Sequence, residues 1–295
     1  MSSSKTPLRY PGGKQKLTPF IENILEENEI DGHYVEPYAG GAGVGIELLL
    51  NKKVNKIHLN DTHLGIYAFW YSVKHNTNDL CRKIYSASLT IDEWKKRKDI
   101  VKKSDKTDLL ELGFSTFYVN RCNRSGVLSA GVIGGMDQSG NYKMDARFNR
   151  VDLVQRIETI GKFKDNISLS NMDAEVYIKN YIPNLPSENT LIYLDPPYFN
   201  KSSELYTNSY KEQDHIRLSK VIQNKIKHKW VLSYDGVSEI LDLYSEKRHF
   251  LYNLQYSAAK NYKGNEIFVF CDDMLIPNSC SLNYINEGLS NLVCF

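Results

Sequence analysis

The stretch "YVEPYAGGAGVGIELLL", residues 34–50, sets a short strand-forming run directly against Gly40, Gly41, Gly43 and Gly45, and these against an apolar helix former. Glycines in that place permit a tight turn and let a ligand approach the backbone closely at a helix N-terminus. About twenty residues beyond Gly40, Asp61 closes the next strand-like run, "KIHLND". Nucleotide-binding sheets put a carboxylate there, where it accepts hydrogen bonds from ribose hydroxyls. A glycine turn alone is weak evidence, but a turn with an acid at the right strand end points to an adenosine-containing ligand. The spacing is not Gly-x-Gly-x-x-Gly, which speaks against NAD. Nor is "RYPGGKQK" (9–16) a P-loop, which speaks against ATP hydrolysis.

Working outward, the pattern around this turn alternates. Residues 14–30 read as a helix with Pro19 near its start, 33–37 as a strand, 43–52 as a helix, 55–61 as a strand and 62–76 as a helix. Strands alternating with helices predict a doubly wound, mostly parallel α/β sheet covered on both faces. From about residue 78 the strand signals vanish. "NDLCRKIYSAS", "TIDEWKKRKDIVKK" with Thr90 and Glu93 spaced as a capping box, and "TDLLELGFSTFYVNRC" read as consecutive helices. Five of the eighteen glycines then fall between residues 126 and 140, a density that predicts turns and a mobile hairpin. Alternation resumes at 165, with strands at 166–171, 190–194, 229–235, 249–256 and 266–271 and a long helix at 212–226. The sheet is therefore expected from 1–77 and 165–275, with a helical insertion at 78–164 and a weakly patterned tail at 276–295.

Composition narrows the class. Of 295 residues 41% are hydrophobic and 24% charged, as in a globular protein, and no apolar run approaches the length of a membrane span. The start, "MSSSKTPLRYPGGK", lacks the apolar core of a signal peptide, so a cytoplasmic location is expected. Cys81, Cys122, Cys271, Cys280 and Cys294 contain no Cys-x-x-Cys pair, and the seven histidines show no metal spacing. Reduced thiols and no metal are expected. The net charge of +2 neither demands nor excludes nucleic acid, but residues 94–106 carry seven Lys/Arg against Asp99 and Asp105. That run reads equally as a solvated helix face or as a phosphate-tracking surface.

The chemistry sits in "TLIYLDPPYFNK", residues 190–201, where a buried strand ends in Asp195, Pro196, Pro197 and Tyr198. A carboxylate beside a peptide carbonyl gives two acceptors aimed at one place, and an exocyclic amino group presents two N–H donors. Proline cannot donate, and its fixed φ holds that carbonyl still. Tyr198 is expected to stack on a planar base, an interaction worth roughly 1–3 kcal/mol. Such a site takes a base out of its stack. The bland alternative is a Pro-Pro turn after a buried strand.

"RYPGGK" (9–14), "VEPYAGGAGVG" (35–45), "LND" (59–61), "FYVNRCNRSGV" (117–127), "DPPY" (195–198), "YTNSY" (206–210) and "KGNEIFVF" (263–270) together resemble, in this order, the Dam-type DNA adenine-N6 methyltransferases. The resemblance runs from about residue 7 to 272 and implies a class I methyltransferase fold with a target-recognition domain inserted before the catalytic tetrapeptide. It also implies S-adenosylmethionine as methyl donor, double-stranded DNA as substrate, and a cognate restriction endonuclease as a candidate partner. By the matches, Tyr10 and Lys14 lie near the donor's amino-acid end, and Glu36, Tyr38, Gly40 and Gly41 line its pocket. Asp61 is the ribose-binding acid, Asp173 is placed at the donor's adenine, and Asp195 touches both donor and target amine. Lys14, Asp195, Pro196 and Tyr198 form the implied catalytic set. Tyr118, Asn120 and Arg121 match the segment that opens the DNA-reading part, with Arg124 and Arg147 as phosphate or base contacts. The reading loop departs from the GATC-specific members, so no recognition sequence is carried over. The rivals are methylation of cytosine N4 or of RNA adenine and, from another class, an inactive donor-dependent DNA-binding regulator.

Overall fold

The computed structural model of the chain describes residues 5–10, 12–199, 210–256, 262–277 and 293–294. The family-like match at 206–210, except Tyr210, and most of the tail at 276–295 lie outside them. Strands β1 (His33–Glu36), β2 (Lys56–Asn60), β3 (Ile167–Ser170), β4 (Thr190–Leu194) and β5 (Lys229–Asp235) run parallel in the order β3-β2-β1-β4-β5. The sheet continues antiparallel: β7 (Tyr262–Phe270) inserts between β5 and β6 (His249–Tyr256), and the two-residue β8 (Val293–Cys294) pairs with β6. Every residue of β4, "TLIYL", is buried, as a central parallel strand covered on both faces requires.

The chain steps from β1 outward to β2 and β3, then returns to β4 on the other side of β1. The reversal opens a crevice over the carboxyl ends of β1 and β4, the place where open α/β sheets bind ligands. Helices α1 (Thr18–Glu27), α2 (Gly43–Leu50) and α3 (Leu64–His75) follow in the first half, and α8 (Ala174–Asn180), α9 (Glu212–Lys225) and α10 (Ser238–Leu243) in the second. The expected helix at 14–30 divides into a 3₁₀ turn, Gln15–Leu17, and α1, which opens with Pro19 in its first turn, where no N–H is needed.

Between α3 and β3 lie α4 (Thr77–Tyr85), α5 (Ile91–Lys103), α6 (Leu109–Cys122) and α7 (Arg150–Gly161). Thr90 caps α5 by accepting from the Glu93 N–H at 3.3 Å, but Glu93 turns its own carboxylate to Arg97, so only half of the capping box forms. Every residue of α6 from Leu112 to Cys122 is buried. A helix buried all round belongs to a core, and α6 packs on α3, with the rings of Phe69 and Phe117 stacked at 5.7 Å. Gly113 makes that approach possible, because a Cβ there would lie 2.4 Å from the Ala68 carbonyl oxygen. Part of the basic charge of α5 is spent internally: Lys95 pairs with Asp92, Lys103 with Asp99, and Arg97 with Glu93 and Glu111.

The glycine-rich stretch forms turns with one antiparallel bridge, Asn123 to Val132, rather than the expected hairpin. Gln138 ties it together. Its amide donates to the carbonyls of Ile133 at 2.8 Å and Gly135 at 2.7 Å, and its side-chain oxygen accepts from the Met144 N–H at 2.9 Å. Lys98 of α5 adds a bond to the Ala130 carbonyl at 2.9 Å.

At the amino end of the sheet, His33 Nδ1 stands 2.8 Å from His58 Nε2, and His58 Nδ1 stands 2.9 Å from the Tyr181 hydroxyl. Burial, then the neighbouring His33 and Lys56, push the His58 imidazole down to about 3. Among the described residues no helix is long and apolar enough to cross a membrane.

Candidate active site

One side of the crevice is built on the turn after β1. Gly40 takes φ +46°, in the left-handed region, and donates its N–H to Asp61 Oδ2 at 2.9 Å. A Cβ on Gly40 would come within 2.8 Å of the Tyr10 ring and one on Gly41 within 3.1 Å of the Tyr10 Cβ, so Tyr10 rests against bare backbone. Ala42 also sits at φ +46°, a conformation costing of order 1 kcal/mol for a residue with a Cβ and of the kind that collects at ligand sites. Asp61 Oδ1 accepts from the His63 N–H at 2.8 Å; each carboxylate oxygen has then taken one donor and keeps a further lone pair.

Glu36, at the end of β1, is 5% exposed and accepts from the Gly45 N–H at 2.9 Å. No described cation pairs with it, and burial raises its carboxyl to about 8. Tyr38 is half-buried, its hydroxyl 3.2 Å from that of Tyr210. Asp173 caps α8, accepting from the N–H groups of Glu175 and Val176 at 3.0 and 3.2 Å. It stands beyond the carboxyl end of β3, on the same sheet edge as Asp61, with one role already filled by the cap.

Across the crevice, Lys14 joins the tetrapeptide Asp195–Tyr198. Its buried ammonium lies 2.9 Å from Asp195 Oδ1, 3.1 Å from Asp195 Oδ2 and 2.6 Å from the Tyr198 hydroxyl. Ser233 of β5 donates to Asp195 Oδ1 at 2.9 Å and stands 2.8 Å from the Tyr193 hydroxyl. Oδ1 is thus doubly engaged, while among the described residues Oδ2 holds the longer Lys14 contact alone. Among the described residues none donates to the carbonyl of Pro196. Both acceptors named from the sequence keep unused capacity among the described residues.

Tyr198 departs from expectation. Its ring is 6% exposed, the Lys14 ammonium lies 4.9 Å from its centroid, and its hydroxyl also donates to Glu266. A phenol with a buried cation and a buried carboxylate within reach turns inward, so the ring offers no open face for stacking in this arrangement.

The residues matched to the DNA-reading segment divide. Tyr118 and Asn120 are fully buried. The Tyr118 hydroxyl donates to the Ser88 carbonyl at 2.8 Å, and Asn120 brackets Arg9, accepting from its N–H at 2.8 Å and donating to its carbonyl at 2.6 Å. Their polar groups are consumed inside the protein, which corrects the expectation that they reach DNA. Arg124 and Arg147 are exposed. Arg121 is buried to 9% exposure, with its Nε unpartnered. Burial, then the charges of Arg9 and Arg156, pull its guanidinium down to about 9.

Sequence reading passed over Ser233, Asp235 and Glu266. Ser233 and Asp235 share one face of β5 by the period of two, and Glu266 stands directly opposite Asp235 on β7. Asp235 accepts from the Phe199 N–H at 2.9 Å. The signal was present, since an acid inside the apolar run "EIFVF" is a residue type almost never fully buried unless it is partnered.

A family model described as D12 class N6 adenine-specific DNA methyltransferase matches residues 10–260. The type II methyltransferase M.MjaIII of Methanocaldococcus jannaschii is 25% identical over 232 residues, covering 72% of this chain and 77% of that protein. The type II methyltransferase M.CviBI of Paramecium bursaria Chlorella virus NC1A is 22% identical over 253 residues, 85% of this chain and 91% of that protein. An rRNA methyltransferase structure from Streptomyces viridochromogenes covers 90% of this chain and 88% of its own at 10% identity, but its TM-score of 0.37 is too low to carry weight.

Proposed function

Because the chain belongs to the D12 class N6 adenine-specific DNA methyltransferases, it methylates DNA on the adenine amino group, and we propose that the crevice between β1 and β4 is where it does so. The observation that carries this reading is that Asp195 Oδ2 and the carbonyl of the next residue, Pro196, both keep acceptor capacity, the first with one described contact and the second with none. An adenine amine conjugated into its ring is a poor nucleophile. With its two N–H bonds held by these acceptors, its lone pair turns from the ring toward the incoming methyl group. Lys14 and Ser233 hold Asp195 in place, and a fixed geometry of this kind supplies much of the acceleration. An adenine stacked in a duplex cannot bring its amine between a half-buried carboxylate and a buried proline, so the base enters turned out of the helix.

The residues on the other side fit S-adenosylmethionine. Glu36 is a buried acid with no described cation, the chemistry that an ammonium completes; Asp61 keeps lone pairs for ribose hydroxyls; Gly40 and Gly41 leave backbone bare beneath Tyr10. When bound, this donor supplies a methyl group activated on a sulfonium. Tyr38 borders the same crevice, and Asp173 is assigned to the adenine end. Arg121, Arg124 and Arg147 are assigned to DNA phosphates, for which the exposure of Arg124 and Arg147 and the unpartnered Nε of Arg121 are the support. The type II relatives support a place in a restriction–modification pair, with an endonuclease recognising the same site.

Replacing Asp195 tests the site. Asp195→Ala is expected to keep the far-UV circular dichroism of the wild type and to lose on the order of a thousandfold in methyl transfer from radiolabelled donor to DNA. Nucleoside digestion of the wild-type product should yield N6-methyladenine. Transfer by the variant at the wild-type rate would show the reacting site to be elsewhere.

A further inference from the structure

Glu266 has no part in the chemistry described so far, yet it is 1% exposed at the head of the apolar run Ile267–Phe270, with Asp235 opposite it on β5. An ionised carboxylate so far from water is tolerated only with charged or hydrogen-bonding partners. Its partners are members of the reacting constellation: the Tyr198 hydroxyl donates to Oε1, and the Lys14 ammonium lies 3.8 Å from Oε2. We propose that Glu266 is a positioning residue for methyl transfer, acting through Tyr198 and Lys14 to fix the Asp195 carboxylate against the target amine. The inference rests on the functional reading above.

The geometry supplies the reason. A hydroxyl has one proton and two lone pairs. By taking that proton, Glu266 leaves a lone pair of Tyr198 turned to the Lys14 ammonium, which reaches it at 2.6 Å. The ammonium is thereby held between Tyr198 and Asp195 rather than free to pair symmetrically with either carboxylate. One face of β5 and β7 does the tethering. Ser233 holds Asp195, Asp235 holds the Phe199 N–H, and Glu266 holds the Tyr198 hydroxyl, so three polar side chains grip the segment 195–199. Glu266 also faces the cation, with Oε2 3.8 Å from the Lys14 ammonium.

The test uses the full-length protein, with Glu266→Gln and Glu266→Ala compared with the wild type for kcat, KM for DNA, donor affinity by calorimetry and thermal midpoint. The glutamine keeps an acceptor for Tyr198 without the charge, so kcat is expected to fall about 10-fold, and the alanine about 100-fold. Donor affinity should stay within about threefold, since the residue acts on the target side. Tyr198→Phe removes the same hydrogen bond from its other end. Combined with Glu266→Gln it should be no slower than the slower single variant, because the two act as one unit. If Glu266→Ala fails to fold, the glutamine variant and this double variant decide the matter. Wild-type kcat in Glu266→Gln, or effects of the two changes that multiply, overturns the inference while leaving the functional reading intact. Absence of methyl transfer by the wild type overturns both.

Discussion

At the scale of single residues, Lys14 is the point on which the crevice turns. Its side chain is 4% exposed, and it lies between Asp195 and Glu266 with the Tyr198 hydroxyl in contact. Lys14→Met keeps the volume and removes the charge, which leaves two carboxylates facing each other without a cation. Breaking a buried pair from one side costs about 3–5 kcal/mol, and the lower end applies because the Asp195 side chain is 24% exposed. Urea denaturation should show a loss near that lower end, and methyl transfer should fall about 100-fold. A variant with unchanged midpoint and unchanged rate would mean that the ammonium holds nothing. The place of Asp195 and Pro196 at the end of β4 was legible from the sequence, because two prolines after an acid stop a strand by covalent geometry alone. Glu266 was not, because its partnership with Lys14 depends on strand pairing across the sheet. The inward turn of Tyr198 was hidden for the same reason, since nothing in the local sequence says that a cation and a carboxylate wait beneath the ring.

Among the elements, α6 shows where pattern reading went astray. "FYVNRC" holds an aromatic, an amide and an arginine, the kinds of side chain that read nucleic acid. The helix is buried all round, however, and the hydroxyl of Tyr118 and the amide of Asn120 bond within the protein. The outcome to expect is a division between buried and exposed members of the set. Arg124→Ala and Arg147→Ala should each weaken DNA binding and reduce the slope of log affinity against log salt by about 1, as loss of one phosphate contact does. Tyr118→Phe should leave that slope alone and cost about 1 kcal/mol of stability, the worth of one internal hydrogen bond. Binding titrations at several salt concentrations, with a denaturation curve for each variant, separate these effects. An unchanged slope in both arginine variants would remove them from the interface. The strand-and-helix alternation, in contrast, was read nearly to the residue. Each of those elements declares itself by a local period, which needs no knowledge of what packs on it.

For the molecule as a whole, two buried groups on neighbouring strands of the sheet, His58 of β2 and Glu36 of β1, set opposing dependences on pH. His58 falls from an ordinary 6.5 to about 3 in the folded protein. Between those values the unfolded chain takes up a proton that the folded one refuses, so stability rises with pH. Glu36 goes from 4.5 to about 8, so between those values the folded protein keeps a proton that the unfolded chain has lost, and stability falls as pH rises. Asp61, also raised by burial, adds to the second trend. Each group contributes at most about 1.4 kcal/mol per pH unit. The opposing slopes overlap from 4.5 to 6.5, so a broad stability maximum is expected in that window, with losses on either side. Urea midpoints taken across pH 3–9 check this, and Glu36→Gln should flatten the alkaline limb. A monotonic rise through pH 8 would contradict the burial of Glu36. The bond pair from Asn120 to Arg9 has a different reach. Arg9 precedes Tyr10, whose ring covers the glycine turn, so a helix from the middle of the chain grips the residue beside the donor pocket. A different helical insertion set into this sheet would therefore strand the Arg9 backbone pair unless it carried an amide where Asn120 stands, so the two stretches of chain have to be exchanged together.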